Sequence, residues 1–119
     1  MKVPYSETKL KDTVKLFGRA AYVIGPHGGG MYNIHACQPK TNIIEFVPDD
    51  YGRTEVAHYA DKLGHRYLGL LKPGMKKKEQ FGDVPISWLI DVMKTIEAHK
   101  SPLKLMVPEN WTLGANYNF

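Results

Sequence analysis

The chain has 119 residues, 43% of them hydrophobic and 24% charged, with a net charge of +4. That balance describes one ordinary globular domain with a thin core and excludes a disordered chain. No run approaches the ~20 apolar residues needed to cross a bilayer, and the stretch Met1-Lys2-Val3-Pro4-Tyr5-Ser6-Glu7 lacks the apolar segment of a secretory signal. The chain is therefore expected to stay in the compartment where it is made, unless it is a piece of a longer protein. Cys37 is the only cysteine, which rules out an internal disulfide and any CxxC metal or redox motif. With its apolar flanks it reads as core filling. Lys72, Lys76, Lys77 and Lys78 read as a solvated basic loop. No aromatic residues interleave with them as a single-strand platform requires, so no nucleic-acid partner is expected.

In chain order, Ser6 is positioned as an N-cap and Leu10, Val14 and Phe17 follow at helical spacing, predicting a helix over 7–18. Ala20-Ala21-Tyr22-Val23-Ile24 is a continuous apolar run ended by Gly25-Pro26, the pattern of a strand buried on both faces. A short helix fits between Met31 and Cys37, closed by Pro39, and Asn42-Ile43-Ile44-Glu45-Phe46-Val47 is a second buried strand stopped by Pro48. Val56, Tyr59, Ala60 and Leu63 mark a helix face that Gly64 terminates. Arg66-Tyr67-Leu68-Gly69-Leu70-Leu71 is a third strand, weakened by Gly69. Asp83 is expected to cap a last helix with Pro85 in its first turn and Ile86, Leu89, Ile90, Met93 and Ile96 as its apolar stripe. The tail from Ser101 reads as an extended arm that packs only where Leu103, Leu105, Trp111 and Phe119 find a surface. The expected fold is α/β, a three-layer Rossmann-like half domain with a small parallel sheet over 1–100 and an extended tail over 101–119.

A strand, a glycine cluster and a helix start form an arrangement suited to phosphate. Glycines let the backbone approach an anion, and the first N–H groups of the helix face it. Gly28-Gly29-Gly30-Met31-Tyr32-Asn33 is a near miss to GxGxxG, with Asn33 in the last glycine position. Glu45, toward the C-terminal end of the next strand, is placed to accept hydrogen bonds from ribose hydroxyls. His27 lies within the loop and is suited to donate to a phosphate or to act as acid or base near neutral pH. Lys40 and Arg53 are further candidates to face a pyrophosphate.

Two rival chemistries fail. His27-Gly28-Gly29-Gly30 spells the HGGG oxyanion-hole motif of lipase-like hydrolases, which also need a GxSxG elbow. None of the serines, Ser6, Ser87 and Ser101, lies in such a setting. The histidines His27, His35, His58, His65 and His99 show no HExxH spacing, and Asp49-Asp50 is a surface turn and not a DxD, so no metal site is expected.

Phe17-Gly18-Arg19-Ala20, Val23-Ile24-Gly25-Pro26-His27-Gly28-Gly29-Gly30 and Asn42-Ile43-Ile44-Glu45-Phe46-Val47-Pro48 resemble the C-terminal signature of glycosyltransferase family 61. The segment from Tyr59 to Tyr67 is similar to the helix, glycine and aromatic strand that follow it in the family. The resemblance implies inverting transfer from a nucleotide sugar, usually a UDP-sugar, on a two-domain GT-B-like scaffold without an essential metal. It carries over Gly25, His27, Gly28, Gly30, Asn33 and Glu45, to which the loop position Gly29 is added as donor-binding. His27 is the one candidate catalytic residue, at the phosphate or leaving oxygen. Gly29 stands where the family has alanine and Met31 where it has leucine.

The implied partners are a nucleotide sugar, a glycan or glycoprotein acceptor, and a partner chain or N-terminal domain that supplies the acceptor's base. No cofactor beyond the donor substrate is implied. Localisation follows the source, the Golgi or ER lumen for a eukaryotic member and the cytoplasm for a bacterial one. Two other functions compete. One is an inactive subunit of a larger assembly, whose tail aromatics Trp111, Tyr117 and Phe119 bury against a partner. The other is a small nucleotide-binding module without transfer activity.

Overall fold

Helix α1 (Glu7–Gly18) leads into strand β1 (Tyr22–Pro26), and a 3-10 helix (Gly29–Ala36) carries the chain back to β2 (Asn42–Pro48). Helix α2 (Glu55–Lys62) then precedes β3 (Arg66–Lys72), and α3 (Ile86–Glu97) is followed by a short 3-10 turn (Pro102–Lys104) and β4 (Thr112–Tyr117). The computed structural model describes residues 7–48, 55–74 and 84–119. The expectations placed on Ser6, Asp49-Asp50, Arg53, Lys76 to Lys78 and Asp83 lie outside the described residues.

The four strands form one sheet in the order β1-β2-β3-β4. The first two pairings are parallel, with Ile24 opposite Ile44 and Ile44 opposite Leu68. The 3-10 helix and α2 make the two crossovers, and both pack on the same face, as strands added successively in one direction require. Every residue of β2 is buried, as its continuous apolar run predicts for a central strand.

The tail, expected as an extended arm that packs where its apolar residues find a surface, adds a strand to the sheet. Its β4 pairs antiparallel with β3, turning the expected three-stranded parallel sheet into a four-stranded mixed one. The physical reason is the face that β3 would otherwise leave open. Trp111 packs edge-on against Phe46 at 5.4 Å between ring centroids, and Leu103, Leu105, Leu113 and Phe119 join the same cluster. The tail aromatics are thus used inside the chain.

The sheet separates two cores. One face carries Ile44, Phe46, Leu68 and Leu70 under α3 and Trp111. The other carries Ile43 and Tyr67 under Met31 and Ile34 of the 3-10 helix and Val56, Ala57 and Ala60 of α2, with Cys37 filling space as expected. A fully buried aliphatic side chain such as Ile43 or Leu68 contributes roughly 1.5–3 kcal/mol. Two stripes differ from expectation. In α3 the buried side is Trp88, Leu89, Val92 and Ile96, while Ile86 and Ile90 are exposed, because the helix turns Trp88 to the sheet. Among the described side chains of α1, Phe17 packs against the core, and Leu10, Val14 and Leu16 are exposed. A groove of about 430 Å³ runs along Leu16, Phe17, Val23 and Ile24, beside the outer edge of β1.

Candidate functional site

The alternation of side chains along a strand puts Gly25, Glu45 and Gly69 in one row across the parallel strands. A carboxylate at the middle of a fully buried strand therefore has glycine on each side. The gap at Gly69 is taken by the Tyr67 phenol and that at Gly25 by the Met31 sulfur. His27 follows β1, and its backbone N–H donates to the Phe46 carbonyl at 2.8 Å, extending the ladder past the strand end. That anchor brings its Nδ1 within 2.8 Å of Glu45 Oε2. From the other side Tyr67, two residues before Gly69 on the same face, donates its hydroxyl to Glu45 Oε1. A Cβ at Gly69 would lie 3.1 Å from the Tyr67 Oη and 3.2 Å from its Cε1, so a side chain there would press the phenol by a few tenths of an ångström.

Glu45 is 2% exposed and the His27 side chain 8%. Both carboxylate oxygens of Glu45 accept hydrogen bonds inside the protein. Nδ1 faces the carboxylate, so Nε2 is turned away from Glu45. Burial pushes the Glu45 carboxyl up; the hydrogen bonds from Tyr67 and His27 pull against that, and the charge of Glu55 at the start of α2 adds to it.

The glycine loop sits at the same end of the sheet. The 3-10 helix begins at Gly29, and its opening hydrogen bond runs from Met31 N to the Gly28 carbonyl at 3.1 Å. The N–H groups of Gly29 and Gly30 precede that bond and have no partner within the turn. A side chain added at Gly28 or Gly30 would meet nothing within 4 Å, so the loop faces open space. At Gly25 an added Cβ would lie 3.4 Å from the Met31 sulfur, which packs the 3-10 helix onto β1.

The expected donor residues separate on this frame. Gly25, His27, Gly28, Gly29, Gly30 and Glu45 come together at the ends of β1 and β2, whereas Asn33 lies half-buried further along the 3-10 helix and takes no part in the His27–Glu45–Tyr67 set. Lys40 does not reach the loop. It precedes β2, and its N–H bonds the Gly64 carbonyl at 3.0 Å, at the opposite end of the sheet. Tyr67 is the participant that sequence reasoning missed. The signal available was Gly69 itself, since an interior strand glycine often marks close approach of another group. Among the described residues no three His, Cys, Asp or Glu side chains converge as a metal site, and no helix is long and apolar enough to cross a membrane.

The family described as Glycosyltransferase 61 matches this chain over residues 2–44. The resemblance read from the motifs holds over that stretch, which contains α1, β1 and the whole glycine loop and stops one residue short of Glu45. No curated protein and no solved structure matches the chain significantly.

Proposed function

We propose that the chain provides the nucleotide-sugar side of an inverting sugar transfer that needs no metal, with a UDP-sugar as donor and a GT-B-like scaffold around it. The observation that carries this reading is the position of His27, fixed by Glu45 beside the open glycine loop and inside the segment that matches the family. In the proposed reaction an acceptor hydroxyl attacks the anomeric carbon and the bond from that carbon to the diphosphate breaks. The acceptor's proton passes to a base from a partner chain or further domain. The loop N–H groups hold the diphosphate, and His27 Nε2 donates to an oxygen on which negative charge develops. Glu45 acts by orienting His27, a different role from the ribose contact expected of it.

Calorimetric titration of the folded chain with UDP tests the reading. Binding that weakens at least tenfold in His27→Ala is expected, and no heat with any nucleoside diphosphate would overturn it.

A further inference from the structure

We propose that Tyr67 is a positioning residue that keeps the proton shared by Glu45 and His27 on the imidazole, by donating its phenol hydrogen to the carboxylate. The inference rests on the reading of His27 as the group that faces the donor diphosphate.

A buried carboxyl–imidazole pair can hold the proton between them in two ways. It can sit on Oε2, leaving both groups neutral, or on Nδ1, giving a carboxylate and an imidazolium. Burial favours the neutral form, because charge is costly away from water. A charge-assisted hydrogen bond to the second carboxylate oxygen favours the ionised form. Tyr67 supplies that bond at Oε1, while His27 occupies Oε2. Both arrangements leave an N–H at Nε2, but only the ionised one puts a positive charge there, where a diphosphate would be met.

Titratable groups of α2 and β4 flank the pair. Glu55 of α2 opposes ionisation of Glu45, and Tyr117 of β4 stands 6.5 Å from Tyr67 between ring centroids. Burial and the adjacent Glu45 charge hold the Tyr67 hydroxyl far above its ordinary range, so it remains a donor. Gly69 makes the arrangement possible, since a methyl group there would come within 3.1 Å of the phenol oxygen.

Two variants of the full chain test the inference, Tyr67→Phe and Gly69→Ala. The first removes the hydroxyl and keeps the ring; the second keeps the hydroxyl and displaces it. The readouts are the carboxyl carbon shift of Glu45 and the ring nitrogen shifts of His27 near neutral pH, together with UDP titration. In both variants the Glu45 signal is expected to move toward the protonated acid and His27 Nδ1 toward an unprotonated nitrogen. UDP affinity should fall about tenfold, the scale of one hydrogen bond to a charged group. With two variants, the failure of either to fold leaves the other to decide. Unchanged Glu45 and His27 signals in a folded variant would overturn the proposal. If the wild-type chain ignores UDP but the signals move as stated, the proton placement stands and the donor reading falls.

Discussion

Gly69 stands directly opposite Glu45 in the β2–β3 register, and the space its side chain would take holds the phenol of Tyr67. With Gly25 opposite Glu45 on the other strand, the carboxylate occupies a gap cut into an otherwise apolar layer. There Tyr67 and His27 each hydrogen-bond to one of its oxygens, in a site nearly closed to solvent.

Glu45→Gln should change how stability depends on pH. Burial raises the folded-state value of this carboxyl above its ordinary 4.5. The folded protein therefore binds its proton more tightly than the unfolded chain does. That contribution is complete below the unfolded value and is lost as pH rises through the folded one. The glutamine variant lacks it, so it should gain stability relative to wild type as pH rises from about 4.5 toward neutrality. Urea titrations of both proteins across that range check this, and a constant difference would count against it.

Gly28→Val separates folding from binding. The backbone at Gly28 is extended, with φ 166° and ψ 175°, and an added Cβ meets nothing within 4 Å. Thermal unfolding should shift by no more than about 0.5 kcal/mol in stability, as for other surface changes. UDP affinity should fall by about tenfold or more, equivalent to about 1.4 kcal/mol. A stable variant that binds UDP as wild type does would remove the loop from the donor site.

Trp111→Ala tests whether the tail belongs to the core. Trp111 is 9% exposed, packed against Phe46, with the Lys72 ammonium 5.1 Å from its ring centre. Its loss should cost about 3–5 kcal/mol, the range for emptying a large aromatic site. Chemical denaturation gives the number directly, and a cost below about 1 kcal/mol would mean that β4 is only loosely held.

His99→Gly should stabilise the protein. His99 follows α3 with φ 59°, a left-handed conformation in which a side chain is strained and glycine is not. Its N–H bond to the Ile96 carbonyl, at 2.9 Å, is made by the backbone and survives the change. The expected gain is about 0.5–1 kcal/mol, read as a rise in melting temperature.

Much of the parallel part of the fold was legible because its signals are local. The continuous run from Asn42 to Val47 reports burial on both faces, and Gly64, with φ 79°, marks the end of α2 as its position implied. The strand β4 was hidden because Thr112–Tyr117 carries glycine, alanine and asparagine, and its pairing depends on the β3 edge and not on its own pattern. The glycine loop and Glu45 stood out by residue type and spacing. Their connection to Tyr67 did not, since a hydrogen bond over 22 positions of chain arises only when β2 and β3 are brought into register. The nearness of Glu45 to the glycine loop was visible in the sequence; the Tyr67 hydroxyl on its other oxygen was not.

The antiparallel fourth strand also ties this site to the tail. Ala115 and Tyr117 pack on the core that contains Tyr67, and Asn118 donates to the His65 carbonyl at 2.7 Å. The strand that closes the antiparallel edge is thus also a wall behind the phenol that grips the carboxylate, so a disturbance of the tail reaches Glu45 through Tyr67.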